Sequence, residues 1–190
     1  MTVKKIMKRD VATCSPDSDL TAAVKTMRDR NCGFLPVIDS HGGIVGVVTD
    51  RDACIAVANY KDRPPLHIAV KEVMRFPVFS CFPDENIKVA LATMAKHHVR
   101  RLPVLDRSGH LQGVLSIDDI IQTPRRRGTP TTENIVNAYK RICARPILGA
   151  AYRRRVSSVV RSGMVRRPNR ARSKRPVDYA AEFTRRSPGL

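Results

Sequence analysis

Two short motifs in this 190-residue chain each place a hydroxyl three residues before a carboxylate. Thr49 precedes Asp52, and Ser116 precedes Asp119. Each motif follows an apolar run that is typical of a strand and begins a pattern that is typical of a helix. Backbone N–H groups at a helix start attract a phosphate, a hydroxyl can add a hydrogen bond to it, and a carboxylate can accept hydrogen bonds from a ribose diol. The motifs are therefore candidates for binding a nucleotide.

The same spacing is also typical of a helix cap. In a capping box the hydroxyl accepts a hydrogen bond from the backbone N–H three residues later, and the acidic side chain at that position accepts one from the first backbone N–H. Such a cap needs no ligand and contributes about 1 kcal/mol to stability. The two interpretations are compatible, and the spacing leaves both open.

The two motifs belong to an internal repeat with a step of 67 residues. When residues 3–53 are placed on residues 70–120, 18 of the 51 positions are identical without a gap. Repetition at a fixed step indicates the architecture of a fold. Two copies are too few for a solenoid, so the repeat favours two similar units packed about a pseudo-two-fold axis.

Each copy predicts the same order of elements, beginning with a short lead-in, a Pro-Asp turn and an amphipathic helix. Apolar residues recur at helical spacing from Leu20 to Met27 and again from Ile87 to Met94. Two apolar runs around a Gly-rich turn then predict a hairpin, and a second helix follows. The predicted ranges are 34–38, 44–48 and 51–60 in the first copy, and 101–105, 111–115 and 118–122 in the second. Pro36 and Pro103 are expected at a strand start or edge, because proline has no N–H to donate.

The repeated motifs resemble those of the CBS domain. In the first copy they are Leu35-Pro36-Val37-Ile38-Asp39 and Gly46-Val47-Val48-Thr49-Asp50-Arg51-Asp52. In the second they are Leu102-Pro103-Val104-Leu105-Asp106 and Gly113-Val114-Leu115-Ser116-Ile117-Asp118-Asp119. Both motifs, found twice and in register, make the resemblance specific for about residues 1–123. It says nothing about the rest of the chain.

The resemblance implies a mixed α+β fold in which two β-α-β-β-α repeats form a Bateman module. The expected ranges are 1–62 and 66–123 for the repeats, 131–146 for a C-terminal helix and 150–190 for a basic, disordered tail. Modules of this type commonly bind AMP, ADP, ATP or S-adenosylmethionine, often dimerise, and act as sensors rather than enzymes. The resemblance therefore implies a regulatory protein with no catalytic cofactor, forming a homodimer.

The resemblance also assigns candidate binding residues in two clefts. Thr49, Asp52, Ser116 and Asp119 would hold phosphate and ribose, and Thr13 and Ser80 match positions that often touch the base or ribose through backbone atoms. Arg101 could pair with a phosphate, and its repeat equivalent Phe34 could flank an adenine ring. A solvated arginine and a core phenylalanine are the alternatives. The clefts are thus expected to be unequal, with a charged nucleotide favouring the one that contains Arg101.

Most of the positive charge lies outside the repeats. Of the formal net charge of +18, residues 1–123 contribute 17 − 14 = +3 and residues 124–190 contribute 18 − 3 = +15. Arginine-rich segments bind phosphate non-specifically and in a strongly salt-dependent way. Residues 150–190 are therefore a candidate for contact with nucleic acid, with an anionic membrane surface, an acidic protein or solvent alone as alternatives.

The remaining residues favour a cytoplasmic protein without a metal or a catalytic centre. Five cysteines without C-x-x-C spacing, after a charged N-terminal segment, argue against a secreted disulfide protein. Cys14 and Cys81 are repeat equivalents and are expected to be small core residues. No apolar run approaches the ~20 residues of a membrane span. The histidines lack metal-site spacing, and no nucleophile elbow, P-loop or dinucleotide fingerprint is present.

Overall fold

The computed structural model describes residues 1–60, 62–124 and 128–144. The predicted tail at 150–190 lies outside the described residues. The first copy contains α1 (Leu20–Asp29), β1 (Phe34–Ile38), β2 (Ile44–Thr49) and α2 (Asp50–Asn59). The second contains α3 (Val70–Val73), α4 (Ile87–His97), β3 (Arg101–Leu105), β4 (Leu111–Ser116) and α5 (Ile117–Gln122), and α6 (Thr132–Cys143) follows. Short 3-10 helices span Val3–Lys5 and Pro65–His67.

Each copy forms an antiparallel hairpin with the same register. Phe34 lies opposite Thr49 in the first hairpin, and Arg101 lies opposite Ser116 in the second. The aspartate of each L-P-V-x-D motif closes the turn: Asp39 accepts hydrogen bonds from the backbone N–H groups of His41 and Gly43, and Asp106 accepts them from Ser108 and His110. The two hydrogen bonds to Asp106 stabilise its ionised carboxylate and hold its pKa below the usual range. The bond from the backbone N–H of His110 has the larger effect. This aspartate therefore has a structural role.

The first strand of each expected β-α-β-β-α unit is reduced to a single bridging residue. Cys14 bridges Val37 in parallel, and Cys81 bridges Val104 in the same way. Pro16 and Pro83 follow within two residues, which limits further pairing because proline cannot donate to a ladder. The expected edge position of both prolines is confirmed, because β3 with Pro103 and β1 with Pro36 are edge strands of two-stranded sheets; Pro36 lies in the middle of β1, opposite Val47. It is tolerated there because its nitrogen faces the side on which only Cys14 pairs.

The lead-in of each copy pairs with the hairpin of the other copy. Lys8 exchanges two backbone hydrogen bonds with Val114 on β4, both 2.9 Å long. Arg75, the repeat equivalent of Lys8, exchanges two with Val47 on β2, at 3.1 and 2.8 Å. Each hairpin therefore lies between its own bridging cysteine and the lead-in of the other repeat. We call residues 3–8 and 70–75 the crossed lead-ins.

Each lead-in also contributes a buried side chain to the hydrophobic core of the other repeat. Val3 is fully buried and belongs to the core of the second repeat, with Ile87, Leu102 and Leu115. Val70 is fully buried in the core of the first repeat, with Leu35 and Val48. Burying a valine side chain contributes about 1.5–3 kcal/mol. Each lead-in thus completes the core of the other repeat.

The helix α6 packs against the second repeat. Ala138 and Ile142 are buried in that core, and the carbonyl of Arg141 lies 2.8 Å from His98 Nδ1. The guanidinium of Arg100 lies over the ring of Tyr139 at 5.5 Å. Among the described residues, no helix has the length and apolar character needed to cross a membrane.

All five cysteines have free thiols. Cys81 is buried as expected, whereas Cys14 is half-buried. Burial raises the pKa of the Cys14 thiol to about 11 and that of Cys81 to about 12. Both are therefore poorly reactive at neutral pH, which fits a packing role.

The equivalent glycines Gly113 and Gly46 provide a test of the crossed lead-ins. A Cβ at Gly113 would lie 2.5 Å from the backbone oxygen of Lys8, whereas a Cβ at Gly46 would lie 2.6 Å from Sδ of the flexible Met74 side chain. We expect Gly113→Ala to lower the free energy of unfolding by about 2 kcal/mol and Gly46→Ala by about 1 kcal/mol. Urea denaturation measures both values. A larger loss for Gly46→Ala would contradict the close backbone approach at Gly113.

Candidate functional site

The first hydroxyl–carboxylate motif forms a complete capping box at the start of α2. Thr49 Oγ1 accepts a hydrogen bond from the backbone N–H of Asp52 at 3.2 Å. Asp52 Oδ2 accepts hydrogen bonds from the backbone N–H and the hydroxyl of Thr49, at 3.2 and 2.7 Å. The Asp52 side chain is only 5% exposed. The helix cap that the spacing of Thr49 and Asp52 predicted as one alternative is therefore present.

The second motif repeats this geometry at the start of α5. Ser116 Oγ accepts a hydrogen bond from the backbone N–H of Asp119 at 3.1 Å. Asp119 Oδ2 accepts hydrogen bonds from the backbone N–H and the hydroxyl of Ser116, at 2.8 and 2.6 Å. The Asp119 side chain is 12% exposed. The two boxes therefore hold both carboxylates in equivalent, largely buried positions.

A cation from the opposite repeat lies beside each carboxylate. The Arg75 guanidinium contacts Asp52 Oδ1 through Nε and Nη2. Lys8 Nζ lies 3.7 Å from Asp119 Oδ1, which is an ion pair without a hydrogen bond. Both contacts follow from the crossed lead-ins, which place these two residues next to β2 and β4. Neither cation was predicted to belong to a site, although the 67-residue step aligns Lys8 with Arg75 and each directly follows a repeated methionine.

The register places Phe34 and Arg101 at corresponding positions beside the boxes. Because directly opposed residues of an antiparallel pair share a face of the sheet, Phe34 lies beside Thr49 and Arg101 lies beside Ser116. Phe34 is buried and Arg101 is half-buried. The pairing therefore places Arg101 beside the motif that contains Ser116 and Asp119.

Thr13 and Ser80 lie one strand further away from the boxes. Each directly precedes the bridging cysteine of its repeat, on the far side of β1 or β3 from the crossed lead-in. Thr13 is exposed and Ser80 is half-buried. The structure therefore joins Thr49, Asp52 and Arg75, and separately Ser116, Asp119 and Lys8, while the candidates Thr13 and Ser80 lie at the opposite edge of each sheet.

The described part of the chain contains no group of three or more His, Cys, Asp or Glu side chains that could hold a metal ion. A cavity of about 520 Å³ lies between α5, α6 and the N-terminal residue, lined by apolar side chains such as Ile120, Ile135 and Val136. None of the eight candidate binding residues lines it. This cavity is therefore separate from the capping boxes.

Comparison with known proteins places the doubled motif in one family. The model of the CBS domain matches residues 3–59 and 70–125. A CBS domain-containing protein of Bacillus subtilis, YhcV, is 34% identical over 118 residues, which cover 62% of this chain and 81% of the relative. An uncharacterized protein of Methanopyrus kandleri is 28% identical over 122 residues, so the match spans 64% of this chain and only 62% of that protein's length.

A solved structure shows the same fold. It is the CBS domain pair of protein MJ0100 in complex with 5′-methylthioadenosine and S-adenosyl-L-methionine. Its TM-score is 0.59 at 26% sequence identity, and the alignment covers 64% of this chain and 94% of that chain. Since the family model matches both copies of the repeat, this chain belongs to the CBS domain family and carries a tandem CBS pair.

Proposed function

We propose that the protein is a regulatory module that binds an adenosine-containing ligand beside its capping boxes. The observation that carries the proposal is the doubled arrangement of a hydroxyl, a largely buried carboxylate and a cation from the opposite repeat. The CBS pair of MJ0100 in complex with two adenosine derivatives supports the choice of ligand class. The candidate ligands are AMP, ADP, ATP and S-adenosylmethionine.

This arrangement favours binding over chemistry. A carboxylate suits a ribose diol, and a lysine or arginine suits a phosphate. In each box the hydroxyl donates a hydrogen bond to the carboxylate and accepts one from a backbone N–H of the helix, so both side chains already serve the helix cap. A bound ligand that contacts a carboxylate and a crossed lead-in together would couple the two repeats, which is the property a sensor requires.

Calorimetry with the four candidate ligands tests the proposal, with GMP as the control for the base. We expect heat of binding with at least one adenosine ligand and none with GMP. A ligand present at one hundred times its Kd should stabilise the fold by about 2.7 kcal/mol, which raises the Tm by roughly 5–10 °C. Absence of heat and of any thermal shift at millimolar concentrations of all four ligands would refute the proposal.

A second candidate function is binding of nucleic acid through residues 150–190, with the CBS pair as a dimerisation scaffold. The charge of +15 within residues 124–190 favours it. Deletion of residues 150–190 should abolish retention of RNA or duplex DNA in a filter assay, and retention by the full chain should fall steeply between about 50 and 200 mM salt. Retention that is unchanged by the deletion would exclude this function.

The proposal includes a cytoplasmic homodimer. Five free thiols fit a reducing compartment. Sedimentation of the full chain and of the variant without residues 150–190 would establish the oligomeric state and show whether the tail contributes to it.

A further inference from the structure

We propose that the face formed by α4 and α6 is a contact surface for the phosphate backbone of a nucleic-acid duplex. Lys88 and Arg141 line a shallow groove of about 220 Å³ between these helices, and Lys96 lies on the same side of α4 as Lys88. The surface belongs to the folded CBS pair and is separate from the capping boxes. The inference therefore goes beyond the adenosine ligand and beyond the second candidate function, in which residues 150–190 make the contact.

The second repeat carries more positive charge in this region than the first. Residues 86–105, which contain α4 and β3, have 4 Lys/Arg and no Asp/Glu, so +4. The equivalent residues 19–38 have 3 Lys/Arg and 2 Asp/Glu, so 3 − 2 = +1. Lys96, for example, is equivalent to Asp29 in the 67-residue step. The positive charge is thus a property of the second repeat and not of the repeated unit.

The cations of this face are not neutralised by ion pairs. Lys88, Lys96 and Arg141 have exposed side chains, and none of them pairs with an acidic side chain within the described part of the chain. In the first repeat, by contrast, two arginines at the end of α1 pair with aspartates. Exposed cations without acidic partners leave their charge available to a polyanion.

The two helices hold the cations in a defined arrangement. Lys88 and Asn134, near the starts of α4 and α6, line the groove together. His98 Nδ1, directly after α4, lies 2.8 Å from the carbonyl oxygen of Arg141 near the end of α6, so the helices run in the same direction. Lys88 and Lys96 are separated by about 12 Å along α4. A separation of this size allows each lysine to contact a different phosphate.

The other residues of the groove favour a phosphate backbone over a membrane or unpaired bases. Asn134 and Asn137 provide amide donors, which commonly contact phosphates. The apolar residues of the groove are buried or, like Ala92, small, so none can insert into a bilayer as a membrane-binding face requires. No aromatic side chain of the described residues lines the groove, so it offers no stacking platform for unpaired bases. A duplex therefore fits the groove best.

The chain continues from α6 into its most basic segment. Residues 145–190 contain 13 Lys/Arg and 2 Asp/Glu, so 13 − 2 = +11. Segments of this charge bind nucleic acid without sequence preference and in a salt-dependent way. One polyanionic partner therefore suits the charge of the α4–α6 face and that of the segment that follows it.

Fluorescence anisotropy of the full chain with a labelled DNA duplex of about 20 bp, at about 50–200 mM salt, tests the surface. The variant Lys88→Gln/Lys96→Gln/Arg141→Gln removes three exposed cations. Each lost phosphate contact makes the fall of log affinity with log salt less steep by about 0.9, so the slope should become shallower by about 2–3. At about 100 mM salt the affinity should fall by at least about tenfold.

The variant Lys25→Gln/Arg28→Gln/Arg51→Gln is the matched control. It removes three exposed cations from α1 and α2 of the first repeat and lowers the net charge by the same amount. It should change the slope by less than about 0.5 and the affinity by less than about threefold. Each single replacement on the α4–α6 face should change the slope by about 0.9, which keeps the surface testable if the triple variant does not fold.

The outcomes separate this inference from the two proposed functions. Equal effects of the two triple variants would overturn the inference and leave the second candidate function standing, because residues 150–190 would then make the contact alone. If the α4–α6 variant weakened binding to vesicles of phosphatidylcholine and phosphatidylserine as much as binding to the duplex, the face would be a membrane surface and the inference would be wrong. Failure of the full chain to bind the duplex at about 50 mM salt would overturn the inference and the second candidate function together. None of these outcomes affects the binding of an adenosine ligand.

Discussion

Replacement of Val3 by aspartate is expected to unfold the second repeat before the first. Val3 is fully buried among the core residues of the second repeat, although it lies in the first copy of the sequence. An unpaired carboxyl group in this core should lower the free energy of unfolding by at least about 4 kcal/mol. That is a large part of the 5–15 kcal/mol typical of a domain.

Hydrogen exchange followed by mass spectrometry measures where protection is lost. In Val3→Asp the peptides of 87–122 should exchange faster than those of 20–59, and in Val70→Asp the order should reverse. Val24→Asp is the control, because Val24 is 44% exposed and its replacement should change little. A loss of protection confined to the copy that carries the substitution would contradict the crossed lead-ins.

Asp52→Ala is expected to lower the free energy of unfolding by about 3 kcal/mol, against about 1 kcal/mol for Asp119→Ala. Both substitutions remove a capping box. Asp52→Ala also removes the partner of Arg75 and with it a direct link between the repeats. The Arg75 side chain is 58% exposed and can be solvated after the change, so the expected loss is at the low end for a broken buried pair.

Urea denaturation of the two variants and of Arg75→Met provides the measurement. Arg75→Met with Asp52→Ala should cost less than the sum of the two single changes, because the two residues share one interaction. Equal losses for Asp52→Ala and Asp119→Ala would mean that the Arg75 contact adds nothing to stability.

The local elements could be predicted from the sequence because their signals are local. The hairpin strands begin where the apolar runs begin, at Phe34, Ile44, Arg101 and Leu111, and both second helices begin within one residue of the predicted position. The capping boxes were predicted as one of two alternatives because they depend only on spacing.

The crossed lead-ins could not be predicted, because the contact joins residues far apart in sequence. Lys8 and Val114 are paired through backbone atoms, which leave no trace in the types of their side chains. The difference between the two carboxylates also escaped the sequence analysis. The difference arises because Lys8 Nζ lies 3.7 Å from Asp119 Oδ1, whereas the Arg75 guanidinium contacts Asp52 Oδ1 directly. The sequence shows only that a cation occupies each position.

The crossed lead-ins also determine the order in which the chain can fold during synthesis. The core of the first repeat can close once Val70 has been added, but the core that receives Val3 is complete only after α6 has supplied Ala138 and Ile142. At about 5–20 residues per second, the N-terminal segment remains without its partner for on the order of ten seconds. The N-terminal segment is therefore synthesised first but is among the last segments to pack. The first repeat has to remain folded until this segment can pack on the second repeat.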